Sequence, residues 1–149
     1  MKTITFLLFF ISLSQTVTFG QENAGDKKYP FWGEYQKTPV SEIKQAADDG
    51  YFFMKIKFGQ PGTQKEMLEK DKARLSEIHK AIGHYRTEHT SDGKLPYYFD
   101  ANGRYEKKET LLKLIDHAKK IGAFEQIVII EEPFPEHAEI DVSDIPLRL

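Results

Sequence analysis

The stretch YFFMKIKFG, residues 51–59, sets Lys55 and Lys57 two positions apart in a run that is otherwise aromatic and aliphatic. It reads as a strand over residues 51–58, and after GQPG the segment Thr63-Gln64-Lys65-Glu66 is a capping box that opens a long helix. Leu68, Leu75, Ile78 and Ile82 line one side of that helix, and Gly83 follows the last of them.

The same alternation continues on both sides. Upstream, Thr38 is an N-cap with Pro39 in the first turn, Val40, Ile43 and Ala47 share a face, and Gly50 supplies the stop. Downstream, LPYYFD reads as a strand ending at Asp100 before the turn Ala101-Asn102-Gly103. Leu111, Leu114, Ile115 and Ala118 then keep a helical period that Gly122 ends. In QIVIIEEPF, residues 126–134, β-branched residues follow one another without alternation, the pattern of a strand buried on both faces, and Pro133 stops it. The order helix, strand, helix, strand, helix, strand with right-handed crossovers predicts an α/β fold: a parallel sheet covered by helices.

Composition narrows the function classes. The 149 residues are 40% hydrophobic and 30% charged, as in one ordinary soluble domain, and a net charge of -2 with no block of like charge offers nothing to gather nucleic acid. Lys2 followed by ITFLLFFI, with Thr18 and Gly20 as small residues before Gln21, reads as a secretory leader over residues 1–20. Its apolar core is too short for a folded membrane anchor, so an exported chain, periplasmic or secreted and free of the membrane after cleavage, is expected. The absence of cysteine excludes disulfides and thiolate metal ligands. Residues 21–37 read as an N-terminal tail with a short extended piece around Phe31 and Tyr35, and residues 38–149 as the folded domain.

Strand residues two apart face the same way, so Lys55 and Lys57 share one face and Met54, Ile56 and Phe58 the other. With both faces expected to be buried, two ammonium groups require carboxylates nearby. The neighbouring strands end in Asp100 and in Glu131-Glu132, at the sheet edge where α/β sites are built. Each motif alone has a plain reading: a solvated edge strand, an Asx turn, a strand exit. Their common position at three successive strand ends is what none of those readings predicts.

KIKFG, YYFDANGRY and IVIIEEPF, in this order with a helix between each pair, resemble the barrel domain of the enolase superfamily, in the branch of muconate-lactonising enzyme and mandelate racemase. The resemblance covers about residues 51–134. It implies strand-helix units of a TIM-type barrel and a magnesium-dependent racemase or epimerase that removes a proton next to a carboxylate through an enediolate. A dehydratase or cycloisomerase of the same superfamily is the sister possibility. It also implies Lys57 as the base with Lys55 beside it, Asp100 and Glu131 as the first two magnesium ligands, and Asn102 lining a site for a small carboxylate substrate. Glu132, pointing the other way along the strand, would stand behind the ligands at most. Such chemistry needs these residue types: a divalent ion on the substrate carboxylate stabilises developing negative charge, and magnesium prefers carboxylate oxygens and water.

A barrel of this class has eight strands and about 250 residues. The readable units are therefore expected to form a half barrel that lacks the third metal ligand, is inactive alone, and associates with itself through open sheet edges. A non-catalytic half-barrel binding or assembly module, and an unrelated small α/β binding domain, are the competing expectations. His79, His84, His89, His117 and His137 lack the spacing of a zinc site and are expected at the surface.

Overall fold

The computed structural model describes residues 39–145. The leader, the tail and the Thr38 cap lie outside them. The chain runs through helix α1 (Val40–Asp48), strand β1 (Met54–Lys57), helix α2 (Gln64–Ile82), strand β2 (Tyr97–Asp100), helix α3 (Lys108–Ile121), a 3-10 turn (Phe124–Gln126) and strand β3 (Ile127–Glu131). The three strands form one parallel sheet in the order β1-β2-β3. The α/β class and the parallel strand-helix units are as expected; the described residues contain three strands, compatible with part of a β/α-repeat fold.

Local chemistry explains the boundaries. The Thr63 side chain accepts from the Glu66 backbone N–H while the Glu66 carboxylate accepts from the Thr63 N–H, so the predicted capping box starts α2. Gly122 ends α3 in the left-handed conformation, φ 78°, where a side chain would strain the backbone. Pro39 occupies the N-cap position of α1, and the helix begins at Val40, one residue later than the sequence suggests.

The helices cover one face of the sheet. Met54, Ile56, Phe58, Tyr97, Phe99 and Ile127 pack there against Met67, Leu75, Ile78, Leu111, Leu114 and Ile115, all essentially inaccessible to water. The opposite face is open among the described residues, which corrects the expectation that both faces are buried. Lys55, Lys57 and Tyr98 are only half-buried there, and Ile129 is 40% exposed.

The lack of alternation in IVII has a different cause from burial on two sides. Tyr97 pairs with Ile127 but Tyr98 pairs with Ile129, a register irregularity that leaves Val128 as the extra residue. The bulge lets Ile127 and Ile130 both align with the helix-facing residues Tyr97 and Phe99, while Ile129 and Glu131 align with Tyr98 and Asp100 on the open face. No helix among the described residues is long and apolar enough to cross a membrane.

His79 and His117 are half-buried rather than surface residues. His79 Nδ1 lies 3.1 Å from the Tyr97 hydroxyl and His117 Nε2 lies 2.8 Å from Ser76 Oγ, so the first ring joins α2 to strand β2 and the second joins α3 to α2. Burial lowers the pKa of His79 below the usual histidine value. His84, His89 and His137 are exposed as expected.

A sheet that pairs on one side only at β1 and β3, with Ile129 on an uncovered face, presents the surface that adds strands or faces from other chains. Self-association is the expected result in size-exclusion chromatography with light scattering, and Ile129→Lys should move the distribution toward monomer. A monodisperse monomer of the unchanged chain would mean that residues outside 39–145 cover this face.

Candidate functional site

Three side chains meet at the carboxyl ends of the strands because the register puts them level. Lys57 of β1 is level with Asp100 of β2, and Asp100 with Glu131 of β3; Lys55 lies two residues back on the same face. Lys55 Nζ stands 2.9 Å from Asp100 Oδ2 and 2.6 Å from Glu131 Oε2. Lys57 Nζ donates to Asp100 Oδ2 as well, and to Asn102 Oδ1 at 2.9 Å. All five residues singled out from the sequence, Lys55, Lys57, Asp100, Asn102 and Glu131, are thus within one hydrogen-bonded cluster. Glu132 is outside it: the residue is exposed, with φ 41°, and only its carbonyl is used, accepting from Gly103 N–H at 2.6 Å.

Asp100 is the centre of this cluster, with a side chain 3% exposed. Burial alone would push its carboxyl upward, but hydrogen bonds from Lys57 and Lys55 outweigh this and hold it below the ordinary aspartate value. Lys55 shows the reciprocal balance: burial disfavours its charge, and the hydrogen bonds to Glu131 and Asp100 raise its pKa above that of a free lysine. Asp100 Oδ1 accepts from the Asn102 backbone N–H at 3.1 Å. Asn102 takes the left-handed conformation, φ 49°, which asparagine tolerates. The Asx turn and the site are therefore one structure, and the turn is what aims the Asn102 amide at Lys57.

The loops beyond the strands continue the ladder and lock the site. Phe58 N–H donates to Asp100 O at 2.8 Å, Ala101 N–H to Glu131 O at 3.1 Å, and Tyr105 N–H to Pro133 O at 3.0 Å. Behind them lies Asp71, a fully buried carboxylate in α2 that the sequence reading missed. It accepts from Gly59 N–H at 2.9 Å, Gln60 N–H at 3.2 Å and Tyr105 Oη at 2.7 Å, so it ties the loop after β1 to the loop after β2. One turn on, Arg74 Nε donates to Lys57 O at 3.3 Å. Gly59, at φ 77°, allows the close approach: a Cβ there would lie 2.6 Å from Arg104 Cβ and 2.9 Å from Ala101 O. Burial raises Asp71 above the ordinary aspartate value, with Tyr105 and the two backbone donors pulling it back.

Tyr98 is a further member of the open face that the sequence reading passed over. Lys55 Nζ lies 4.8 Å from its ring centroid, within cation-π range. Burial, then the Glu131 carboxylate, raise its phenol above the usual tyrosine range. The available signal was its place two residues before Asp100.

The donor chemistry bears on the implied metal. Asp100 and Glu131 offer hard oxygen atoms of the kind magnesium takes, and one cation, the Lys55 ammonium, already lies where both carboxylates converge. The pair fits the ion in type and in convergence. It falls short in number, since no group of three potential ligands gathers among the described residues.

Two opposed pH effects follow from the two buried aspartates. Asp100 has a lowered carboxyl pKa, so its contribution is complete above the unfolded aspartate value of about 3.9 and is lost as pH falls through its folded value. Asp71 has a raised one, so its carboxylate costs stability at neutral pH and protonation relieves that cost as pH falls toward about 4. Urea unfolding across pH should find Asp100→Asn less stable at pH 7, by up to about 3 kcal/mol, with a flatter loss below pH 4. Tyr105→Phe, which removes one donor from the buried Asp71 carboxylate, should cost about 1.5–3 kcal/mol at pH 7.

The geometry has no template to lean on: no family model matches the chain, and neither a curated protein nor a solved structure does.

Proposed function

We propose that this chain carries the base and two metal ligands of a magnesium-dependent racemase or epimerase of the enolase superfamily, acting on a carbon next to a carboxylate. One observation supports the reading: Lys57, Lys55, Asp100, Glu131 and Asn102 converge on one face at the carboxyl ends of three adjacent parallel strands. In this reading Lys57 removes the proton, with Asn102 fixing the position of its amine. Asp100 and Glu131 would hold the ion, which when bound stabilises negative charge developing on the substrate carboxylate. Before reaction the Lys57 amine must leave Asp100 and give up its proton, because only the neutral amine is a base.

A second reading, a binding or assembly module without catalysis, draws on the open face and the exposed Ile129. It shares the fold and differs in the use of the lysines.

Two carboxylates leave magnesium mostly to water, and metal and base act as a unit, so the chain by itself should not exchange α-protons. The test is deuterium incorporation at the α-carbon of dipeptides and sugar acids with magnesium, for the chain alone and for the chain mixed with the second half of a barrel from the proposed family. Exchange is expected in the mixed reaction only, and Lys57→Ala should abolish it. Exchange by the chain alone, lost in Lys57→Ala, would mean that the site is complete without a further ligand. Complex formation without exchange would favour the assembly module.

A further inference from the structure

We propose that Lys55 is the resident counter-cation of the Asp100–Glu131 pair, and that a divalent cation enters the site by displacing the Lys55 ammonium from both carboxylates. The inference rests on reading these two carboxylates as metal ligands.

The two lysines are not equivalent. Lys57 Nζ binds Asp100 and Asn102, and it keeps the Asn102 amide as a partner if Asp100 is shared with another cation. Lys55 Nζ binds Asp100 Oδ2 at 2.9 Å and Glu131 Oε2 at 2.6 Å, which is the point where the carboxylates converge. An ion held at about 2.0–2.1 Å from its oxygens needs those same atoms at closer range than an ammonium does. Two ammonium groups and two carboxylates already balance, so a dication added without a departure would put surplus positive charge on a buried Asp100.

Lys55 also has a way out. Its side chain lies on the face that the helices leave open, and its four-carbon stem can carry the charge into water without moving the strand. The Tyr98 ring, 4.8 Å from Nζ, offers a cation a resting place beside the carboxylates. The arrangement makes metal binding an exchange of cations. It protects the buried carboxylate in the metal-free chain and weakens the apparent affinity for the ion.

The test uses the full chain and two readouts that do not depend on activity. Manganese binding is followed by electron paramagnetic resonance, and lysine acetylation by an N-hydroxysuccinimide ester is followed by mass spectrometry. If the bridged state holds roughly nine-tenths of the molecules, Lys55→Met should bind manganese about tenfold more tightly. Lys57→Met removes the same charge but leaves the bridge, and should gain less. In the unchanged chain, saturating magnesium should raise acetylation of Lys55 several-fold and leave the exposed Lys120 as it was. Equal gains for the two substitutions, or metal binding without a change in Lys55 labelling, would overturn displacement while leaving the metal site standing. No manganese binding by either the unchanged chain or Lys55→Met would overturn the metal reading and this inference together. The labelling arm needs no substitution and decides the matter if Lys55→Met fails to fold.

Discussion

A carboxylate buried at the end of the middle strand organises the rest of this structure. Asp100 has neighbours level with it on both sides, and its side chain has almost no contact with water. Left alone it would take up a proton or draw water into the sheet end, since an isolated buried carboxylate is very costly. Lys57, Lys55 and the Asn102 N–H supply the compensation, and the second lysine brings in Glu131. Two like charges two residues apart on a strand, an odd choice for a half-buried surface, are what a carboxylate at that position demands. The cluster does not maximise stability: apolar residues of similar size would do as well or better.

Asp71 is the counterpart on the helical side, and the contrast between the two aspartates is instructive. Asp100 meets full positive charges, which hold its proton affinity down. Asp71 meets two backbone N–H groups and a phenol, with Arg74 acting at a distance, so burial dominates and its proton affinity rises. The difference follows from the partners that each carboxylate meets. Asp71 holds the first two strand-end loops together, Gln64 at the start of α2 adds bonds to Arg104 O and Glu106 N–H of the loop after β2, and neutral donors with fixed geometry are suited to that. Asp100 meets two lysines whose side chains keep about a fifth of their surface in water.

Much of this was legible in the sequence because it is encoded locally. The Thr63-Glu66 box, the apolar stripe of α2 and the glycine stop of α3 each depend on a few consecutive residues, and all stand where the pattern puts them. The strand-end residues were legible through order alone: parallel units bring successive strand ends side by side whatever lies between. The bulge at Val128 was not legible, because an unalternating apolar run is produced equally by burial on two faces and by one extra residue in the pairing. Asp71 left a signal that went unread. It stands three residues after Leu68 and four before Leu75, in the middle of the apolar face of α2, where an unpaired carboxylate would not be tolerated. Its partners are distant in sequence, so the position could be flagged but not explained.

The open face ties the chemistry of the site to the covering of the sheet. Lys55 and Lys57 keep about a fifth of their side-chain surface in water and Glu131 more than a third, so their ion pairs are screened and each is worth less than its short distance suggests. Removing a proton next to a carboxylate requires the opposite condition, a dry cavity in which a few fixed charges act at full strength. Whatever covers Ile129 and Tyr98 would exclude water from Lys57 and Asp100 at the same time, because all four stand on one face within the pairing of three short strands. Such a cover would raise the energetic stakes of every charge in the cluster, favouring well-paired ions and penalising an unmatched one. In the proposed reading, association on this face would bury the surface around the lysines and so supply the dry surroundings that removal of a proton needs.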